Sequence, residues 1–381
     1  MKKTMLICLF AIGCASVNKN EKLQREAIEG ARGDKTISID YASAFSIDYR
    51  EGYKIVTVGT PWQGSNDSIR YVLRHQQTPR NEEIAAMGQE IIIPVDKIVC
   101  NSTSQIVLLE ALGAIDKLKG FPQTQYIYSP DIVNRVKGGH IKEVGVEAKM
   151  NIESILEIDP DMVMAFNTGR EDRQINKLKE LGVPVVINAD YMEKSMLGRA
   201  EWLKFMSVFL DKEEEATAYF EQVEAHYDSL VNLVSGIDKV DVFSGSLYGG
   251  SWYMPGGRNY GALILSSAGG HYLWSDNDNT GWLNVAFEVV YEKARSADIW
   301  IGVGSFESLD ALRDADSRYA EFKAFRDKRV YSYVNRVNDL GANDYFESGI
   351  IRPDLILADH IKMLHPELMP GYELYYYKQL E

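Results

Sequence analysis

Cysteine is scarce in this chain. Of 381 residues, three are Cys, at positions 8, 14 and 100. Two of them fall at the extreme N-terminus, so Cys100 is alone in the body of the protein and no disulfide can staple it. Long apolar runs are lacking too: the run Met5–Ile12 is too short to span a bilayer as a mature helix. There is no Gly-x-Ser-x-Gly elbow and no P-loop, and Gly302-x-Gly304 lacks the third glycine of a dinucleotide fingerprint. The histidines, at 75, 140, 226, 271, 360 and 365, show neither His-x-His nor His-x-x-x-His spacing, which argues against a structural zinc site. Basic residues are outnumbered, 41 Lys and Arg against 55 Asp and Glu, giving a formal charge of −14. That balance speaks against nucleic acid or an acidic surface as a partner. No low-complexity block or strict repeat is present.

Core-forming material is plentiful. Hydrophobic residues make up 45% of the chain, with 22 Tyr and 6 Trp, and the length suggests two domains. The N-terminus reads as an export signal: basic Met1-Lys2-Lys3, the short apolar run, then Ala11-Ile12-Gly13-Cys14. A small residue before Cys at this place resembles a bacterial lipobox, although Ala11 stands where Leu is usual. The expectation is a signal peptide over 1–13, lipidation of Cys14, and a polar tether over 14–40. Cys100 follows apolar Ile98-Val99 and reads as a small buried hydrophobe.

Strand and helix patterns alternate through the remainder. Strands are expected at 54–58, 90–94, 97–101, 161–166 and 184–187, with helices at 105–112, 152–158 and 170–181 between the later ones. After residue 240 the alternation resumes: strands at 240–243, 298–303 and 329–334, helices at 260–268, 284–294, 320–325 and 353–365. Such alternation implies α/β structure with mostly parallel sheets. A helix at 195–210 leads into the stretch 211–234, whose apolar positions Ala216, Phe220, Val223, Tyr227, Leu230 and Val234 recur in steps of four and three. Asp211 with Glu214 reads as its N-cap and capping box, and Glu213–Glu215 suit the positive end of the helix dipole. A strut between two α/β halves and a core helix inside one larger domain would both carry this pattern.

The candidate chemistry is binding rather than catalysis. Residues 243–260 read FSGSLYGGSWYMPGGRNY, which sets Tyr248, Trp252, Tyr253 and Tyr260 among glycines with Arg258 beside them. A second loop, 271–282, carries Tyr272, Trp274 and Trp282. Rings on glycine-rich loops suit the faces of a planar or bulky organic ligand. Packing against their own domain is the other way such rings are covered.

Three segments carry a family resemblance: KIVCNSTSQIVLLEALG from Lys97, EVGVEAKMNIESILEIDPDMVMA from Glu143, and AGGHYLW from Ala268. In this order they resemble the periplasmic binding proteins of iron-siderophore, heme and cobalamin importers, over about 97–367. The resemblance implies two α/β lobes with mostly parallel sheets, over 41–195 and 236–381, joined through 196–235 by one long helix, with the ligand in the cleft between them. It implies that Glu153 and Glu288 are the paired acids that dock on permease arginines. Locally the likeness is to cobalamin-binding members. Trp282 stands six residues before Glu288, as a ligand-stacking Trp does there, and Asp344-Tyr345-Phe346-Glu347 resembles an Asp-Trp-Phe-Glu stretch whose Asp contacts ligand. Phe166 stands where a Trp ends the strand, and Tyr126 or Tyr128 for a cleft Tyr. Two positions depart from that pattern, Glu147 in place of a Trp and Ser348 in place of an Arg, so iron chelates and heme stay open beside cobalamin. Arg170, Arg258 and Arg336 are the cations considered for anionic chelate groups, with solvent or a surface pair the better reading for Arg170.

The resulting expectation is a lipid-anchored receptor of the bacterial cell envelope, periplasmic or outer-surface, monomeric and not an enzyme. It would bring a metal chelate to an ABC permease dimer with its ATPase and hold no cofactor of its own. Its ligand-binding set would be Tyr126, Phe166, Tyr248, Trp252, Tyr253, Arg258, Trp282, Arg336, Asp344 and Tyr345. An enzyme processing the chelate in the same cleft, or a capture lipoprotein without an importer, are the alternatives.

Overall fold

Glu201 and Glu193 organise the start of the folded chain. The Glu201 carboxylate accepts the backbone N–H groups of Asp40, Tyr41 and Ala42 at 2.9, 2.7 and 2.7 Å. Glu193 accepts those of Ser43 and Ala44 and the Trp202 indole N–H. Both acids are buried, and such charges survive burial only when hydrogen-bonded and paired; Lys204 pairs with Glu201 at 2.8 Å. The structure, a computed structural model, describes residues 36–146, 149–167, 169 and 172–381. The expected signal, Cys14, and positions Glu147 and Arg170 lie outside the described residues. Residues 39–381 form one compact unit.

Four strands open this unit: β1 (Phe45–Arg50), β2 (Tyr53–Val58), β3 (Ile69–His75) and β4 (Gln89–Ile93), paired in that order, the last pair parallel. The sheet is seated on the segment that follows the first parallel sheet. Phe45 meets Trp202 and Phe205 at centroid distances of 4.8 and 5.3 Å, and the Ile187 N–H donates to the buried Tyr71 hydroxyl at 2.8 Å.

The first parallel sheet contains β5 (Ile98–Cys100), β6 (Leu118–Phe121) and β7 (Lys142–Glu143). A hairpin of β8 (Gly145–Val146) and β9 (Lys149–Met150) follows, then β10 (Met162–Ala165) and β11 (Val185–Ile187). Its order is β11-β10-β5-β6-β7, every pair parallel. Ser102 caps the helix Thr103–Ala111 in a capping box with Gln105, and Asn151 caps Ile152–Ile158. Cys100 is wholly buried.

Residues 188–234 join this sheet to the next. The helix expected at 195–210 is two helices, Met196–Ala200 and Trp202–Ser207, separated at Glu201. The long helix runs Glu213–Leu233, 21 residues or ~32 Å. Its buried stripe of Ala216, Phe220, Val223 and Leu230 is the one the spacing foretells. The cap is not. Asp211 adopts a left-handed φ of 55° and gives its carboxylate to Lys54 at 2.7 Å, while Lys212 stands at the cap position and makes no side-chain capping bond. Tertiary pairing with β2 has taken the residue that local sequence would have used. The helix packs on the last helix, Pro353–Leu364, where Asp354 accepts Arg352 through two bonds and lies 2.8 Å from His226 Nδ1.

The second half begins with β12 (Val240–Ser244), a hairpin of β13 (Ser246–Tyr248) and β14 (Ser251–Pro255), β15 (Gly270–Tyr272) and β16 (Trp282–Val285). It continues with β17 (Ile299–Ile301), β18 (Val330–Ser332) and β19 (Lys378–Gln379). The order β15-β12-β17-β18-β19 is parallel except for β19; β13, β14 and β16 form a separate antiparallel sheet. The expected glycine-rich loop is thus largely strand. Gly249 and Gly250, both at positive φ, make the two-residue turn between Tyr248 and Ser251, a hairpin geometry that favours glycine. The helix expected at 284–294 begins only at Phe287, because 282–285 pairs as β16. Among the described residues no helix is long and apolar enough to cross a membrane.

Candidate ligand cleft

In a parallel sheet, ligands gather at the carboxyl ends of strands where the connections diverge to opposite sides. The first sheet has this switch between β5, whose helix leads to β6, and β10 on its other flank. The connections leaving these strands carry Ser102, Thr103 and Ser104, at the start of the helix Thr103–Ala111, and Phe166, and all four line a cavity of about 260 Å³. The second sheet has its switch between β12 and β17. The loops beyond them, Gly245–Ser246 and Gly302–Gly304, line a second cavity of about 260 Å³. A third, of about 440 Å³, is bounded by Thr103 and Tyr126 from the first half and by Ser305, Val337 and Asn343 from the second. Phe346 borders all three cavities. The two crevices therefore open onto one shared cleft.

The hairpin strands supply the aromatic wall of the second half. Along a strand successive side chains face opposite ways. In β14, Tyr253 turns to the cavity with Tyr248 (centroids 6.0 Å apart), while its neighbour Trp252 turns inward. Trp282, 60% exposed, comes from β16 to the same cavity. Trp252, expected to meet ligand, is a core residue. It is 0% exposed, stacks on Trp300 at 5.4 Å and donates its indole N–H to the Ser244 carbonyl. Tyr272 and Trp274 are likewise buried.

Three further expectations are corrected. Asp344 does not face the cleft: it is buried, takes Arg336 Nε at 2.6 Å and accepts the Ser348 N–H. Arg336 is thereby committed, and its guanidinium also lies over the rings of Tyr375 and Tyr128 at 4.2 and 5.3 Å. Arg258 is exposed, reaches Asp278 at 3.3 Å and borders none of the three cavities. Burial decides these outcomes, and single residues do not advertise it.

Tyr126, Phe166, Tyr248, Tyr253, Trp282 and Tyr345 do line the cavities. Tyr345 stacks on Tyr333 at 4.9 Å and is backed by Tyr376 and Tyr377. That backing strap is held by buried Asp359, whose carboxylate accepts the N–H groups of Tyr375, Tyr376 and Tyr377 and the Tyr372 hydroxyl. Desolvation raises the Asp359 pKa in spite of these bonds. Tyr260, singled out among the glycine-rich aromatics, borders two of the cavities; Phe346, 51% exposed, Tyr191, Asp190 and Arg199 border them as well and escaped sequence reading. Phe346 alone carried a signal, lying inside the motif that named its two predecessors.

Three polar bridges cross between the halves at this level. Glu347 accepts the N–H groups of Tyr128 and Ser129, Thr103 Oγ1 donates to the Phe346 carbonyl at 3.3 Å, and Asn338 Nδ2 donates to the Ile127 carbonyl at 3.2 Å. Desolvation pushes the Glu347 pKa up to about 7, against the lowering effect of its two backbone donors. The four-stranded sheet also reaches the cleft wall. Its β2–β3 turn lays Trp62 on Gly169, where φ is +91° and a Cβ would fall 2.9 Å from Trp62 Cδ1. Nearby, the Tyr191 hydroxyl donates to the Asn167 carbonyl, and its ring meets Phe166 edge-on at 4.9 Å.

Glu153 is exposed in the first turn of Ile152–Ile158. Glu288, with its side chain 77% exposed in the first turn of Phe287–Ala294, lies 3.5 Å from Arg318. Among the described residues no cluster of His, Cys, Asp or Glu is arranged to hold a metal ion.

Comparison with known proteins bears on the family and the fold. An uncharacterised lipoprotein of Methanocaldococcus jannaschii is 29% identical over 321 residues, 81% of this chain and 75% of that protein. The vitamin B12-binding protein of Salmonella paratyphi A is 27% identical over 166 residues, 42% of this chain and 59% of that protein. A periplasmic heme-binding protein from Roseiflexus sp. RS-1 superposes with a TM-score of 0.56 at 19% identity, covering 72% of this chain and 99% of that one, a likeness of fold. The family described as periplasmic binding protein matches residues 98–337, from β5 to just short of the Asp344–Phe346 turn, and the chain belongs to that family.

Proposed function

We propose that this protein is the lipid-anchored solute receptor of an ABC importer, taking a flat metal chelate between its two halves and passing it on unchanged. The observation that carries this reading is the meeting of two switch-point crevices in one aromatic cleft, with Phe346 at their junction. A chelate of corrin or porphyrin size presents broad faces, and Tyr248, Tyr253, Trp282 and Phe346 offer ring area that is partly exposed without it. Any metal arrives with the ligand. The vitamin B12- and heme-binding relatives support this ligand class, and the archaeal lipoprotein relative supports the anchor at Cys14.

Delivery would use Glu153 and Glu288, exposed acids in the first turn of one helix from each half. A permease bearing two cationic patches would read their separation, which changes as the halves lean together.

Native mass spectrometry and absorption spectroscopy against cyanocobalamin, hemin and a ferric hydroxamate siderophore test the ligand class. The expected result is a one-to-one complex with one of them and recovery of the chelate chemically unaltered. Recovery of a modified chelate would replace the receptor with an enzyme. Transport in cells carrying the cognate permease should fall on Glu153→Ala with Glu288→Ala, with ligand affinity unchanged; undiminished transport removes the docking role.

A further inference from the structure

The segment that joins the two parallel sheets holds buried polar atoms without hydrogen-bond partners: Asn188 Nδ2, Asp190 Oδ2 and Arg199 Nε. Asp190 and Arg199 both border the cavity beneath Tyr345 and Phe346. Their side chains are 4% and 12% exposed, and they approach each other only through one Arg199 terminal nitrogen, 3.5 Å from Asp190 Oδ1. A guanidinium and a carboxylate placed to satisfy one another make two parallel bonds of ~2.8 Å. This pair does not. The Arg199 guanidinium sits over the Tyr260 ring at 5.0 Å instead. Native interiors seldom leave a donor and an acceptor stranded side by side, and such exceptions call for a functional explanation.

We propose that Asp190 and Arg199 are the polar anchor of the cleft, and that they read a neutral group able to accept and donate at once, a carboxamide on the rim of the chelate. The inference rests on the metal-chelate reading above. Arg199 Nε–H lacks an acceptor and Asp190 Oδ2 lacks a donor. One planar primary amide supplies both. A carboxylate supplies acceptors only, and sets a second negative charge against Asp190 where little solvent screens it. The pair thus separates chelates of the same size and flatness by the charge of their fringe. Both atoms are covered in the ligand-free arrangement. Entry of the fringe group shifts the turn Asp344–Phe346, whose Tyr345 and Phe346 border the cavity from the other half.

The test compares two rings that differ only in their fringe. Dicyanocobinamide carries amides, and dicyanocobyrinic acid carries carboxylates on the same ring; hemin serves as a third probe. Each is titrated into the whole protein by quenching of tryptophan fluorescence, with thermal melts as the control for folding. The wild-type protein should prefer the amide ring by about tenfold or more. Asp190→Asn, which preserves shape, should reduce that preference by about tenfold, and Arg199→Lys, which keeps the charge but loses Nε–H, should weaken the amide ring about fivefold. A ratio near one in the wild-type protein, or a ratio and an amide-ring affinity that neither variant moves, overturns the anchor and leaves the chelate receptor standing. Failure of all three probes to bind overturns the anchor, and failure of the ferric hydroxamate siderophore as well overturns the receptor.

Discussion

The Glu347 carboxylate lies 2.8 Å from the backbone nitrogens of both Tyr128 and Ser129, so a buried acid of the second half holds the two residues that precede the helix Pro130–Lys137 in the first. Glu110, bonded to Ser129 Oγ, and Asp344 face the same spot, and both disfavour its charge. Burial raises the Glu347 pKa from the ordinary range to about 7, so the assembled protein holds this proton more tightly than the unfolded chain does. The associated stability is complete below pH ~4.3 and is lost as pH rises through 7, with an upper limit of ~3 kcal/mol. Melting curves between pH 5 and 8 should show the wild-type protein losing stability relative to Glu347→Gln, which cannot titrate. A pH-independent difference would mean the acid is ionised throughout.

Phe346 borders every cavity of the cleft while half of it is open to solvent. Truncation to Ala should therefore cost binding more than folding. Covering such a ring is worth ~1.5–3 kcal/mol, so affinity for the bound chelate should fall about tenfold to a hundredfold. The melting temperature should move little. Fluorescence titration beside a thermal melt checks both.

Trp252 and Trp282 form a contrasting pair. Trp252 is locked among Phe243, Trp300 and Phe322, so Trp252→Ala should remove ~3–5 kcal/mol of stability. Trp282→Ala should leave stability within ~0.5 kcal/mol, since its ring is largely exposed, and should lower ligand affinity. Denaturant unfolding and titration of both variants would reveal an exchange of these roles.

Glu201 ties the residues preceding β1 to the joining segment and also neutralises buried Lys204. Glu201→Ala removes the carboxylate that pairs with that lysine and leaves three backbone donors without their acceptor, with an expected cost of ~3–5 kcal/mol. Limited proteolysis should then cut first near residues 39–44. An unchanged digestion pattern would show that β1 holds this segment unaided.

Much of this protein was legible in one dimension. Alternating apolar runs closed by Gly113, Pro160 and Gly182 set out the parallel sheets, because strands and helices each impose their own period on the chain. The stripe from Ala216 to Leu230 marked the buried face of the long helix for the same reason. The hairpin was also written locally, in Gly249-Gly250 between aromatic runs, though a glycine-rich loop was the simpler reading. Which of two adjacent rings would face the cavity was decided only by the fold: Trp252 and Tyr253 differ in fate by one step of a pleat whose register is set by β13 and β16. Asp344 turned inward because Arg336, eight residues earlier, meets it there. Glu347 meets Tyr128 across 219 positions, and Arg199 meets Tyr260 from a different element altogether. Periodicity is a property of neighbours along the chain and so survives in the sequence. A cleft is made by residues that approach only after two sheets have formed, and its chemistry is a property of the tertiary structure.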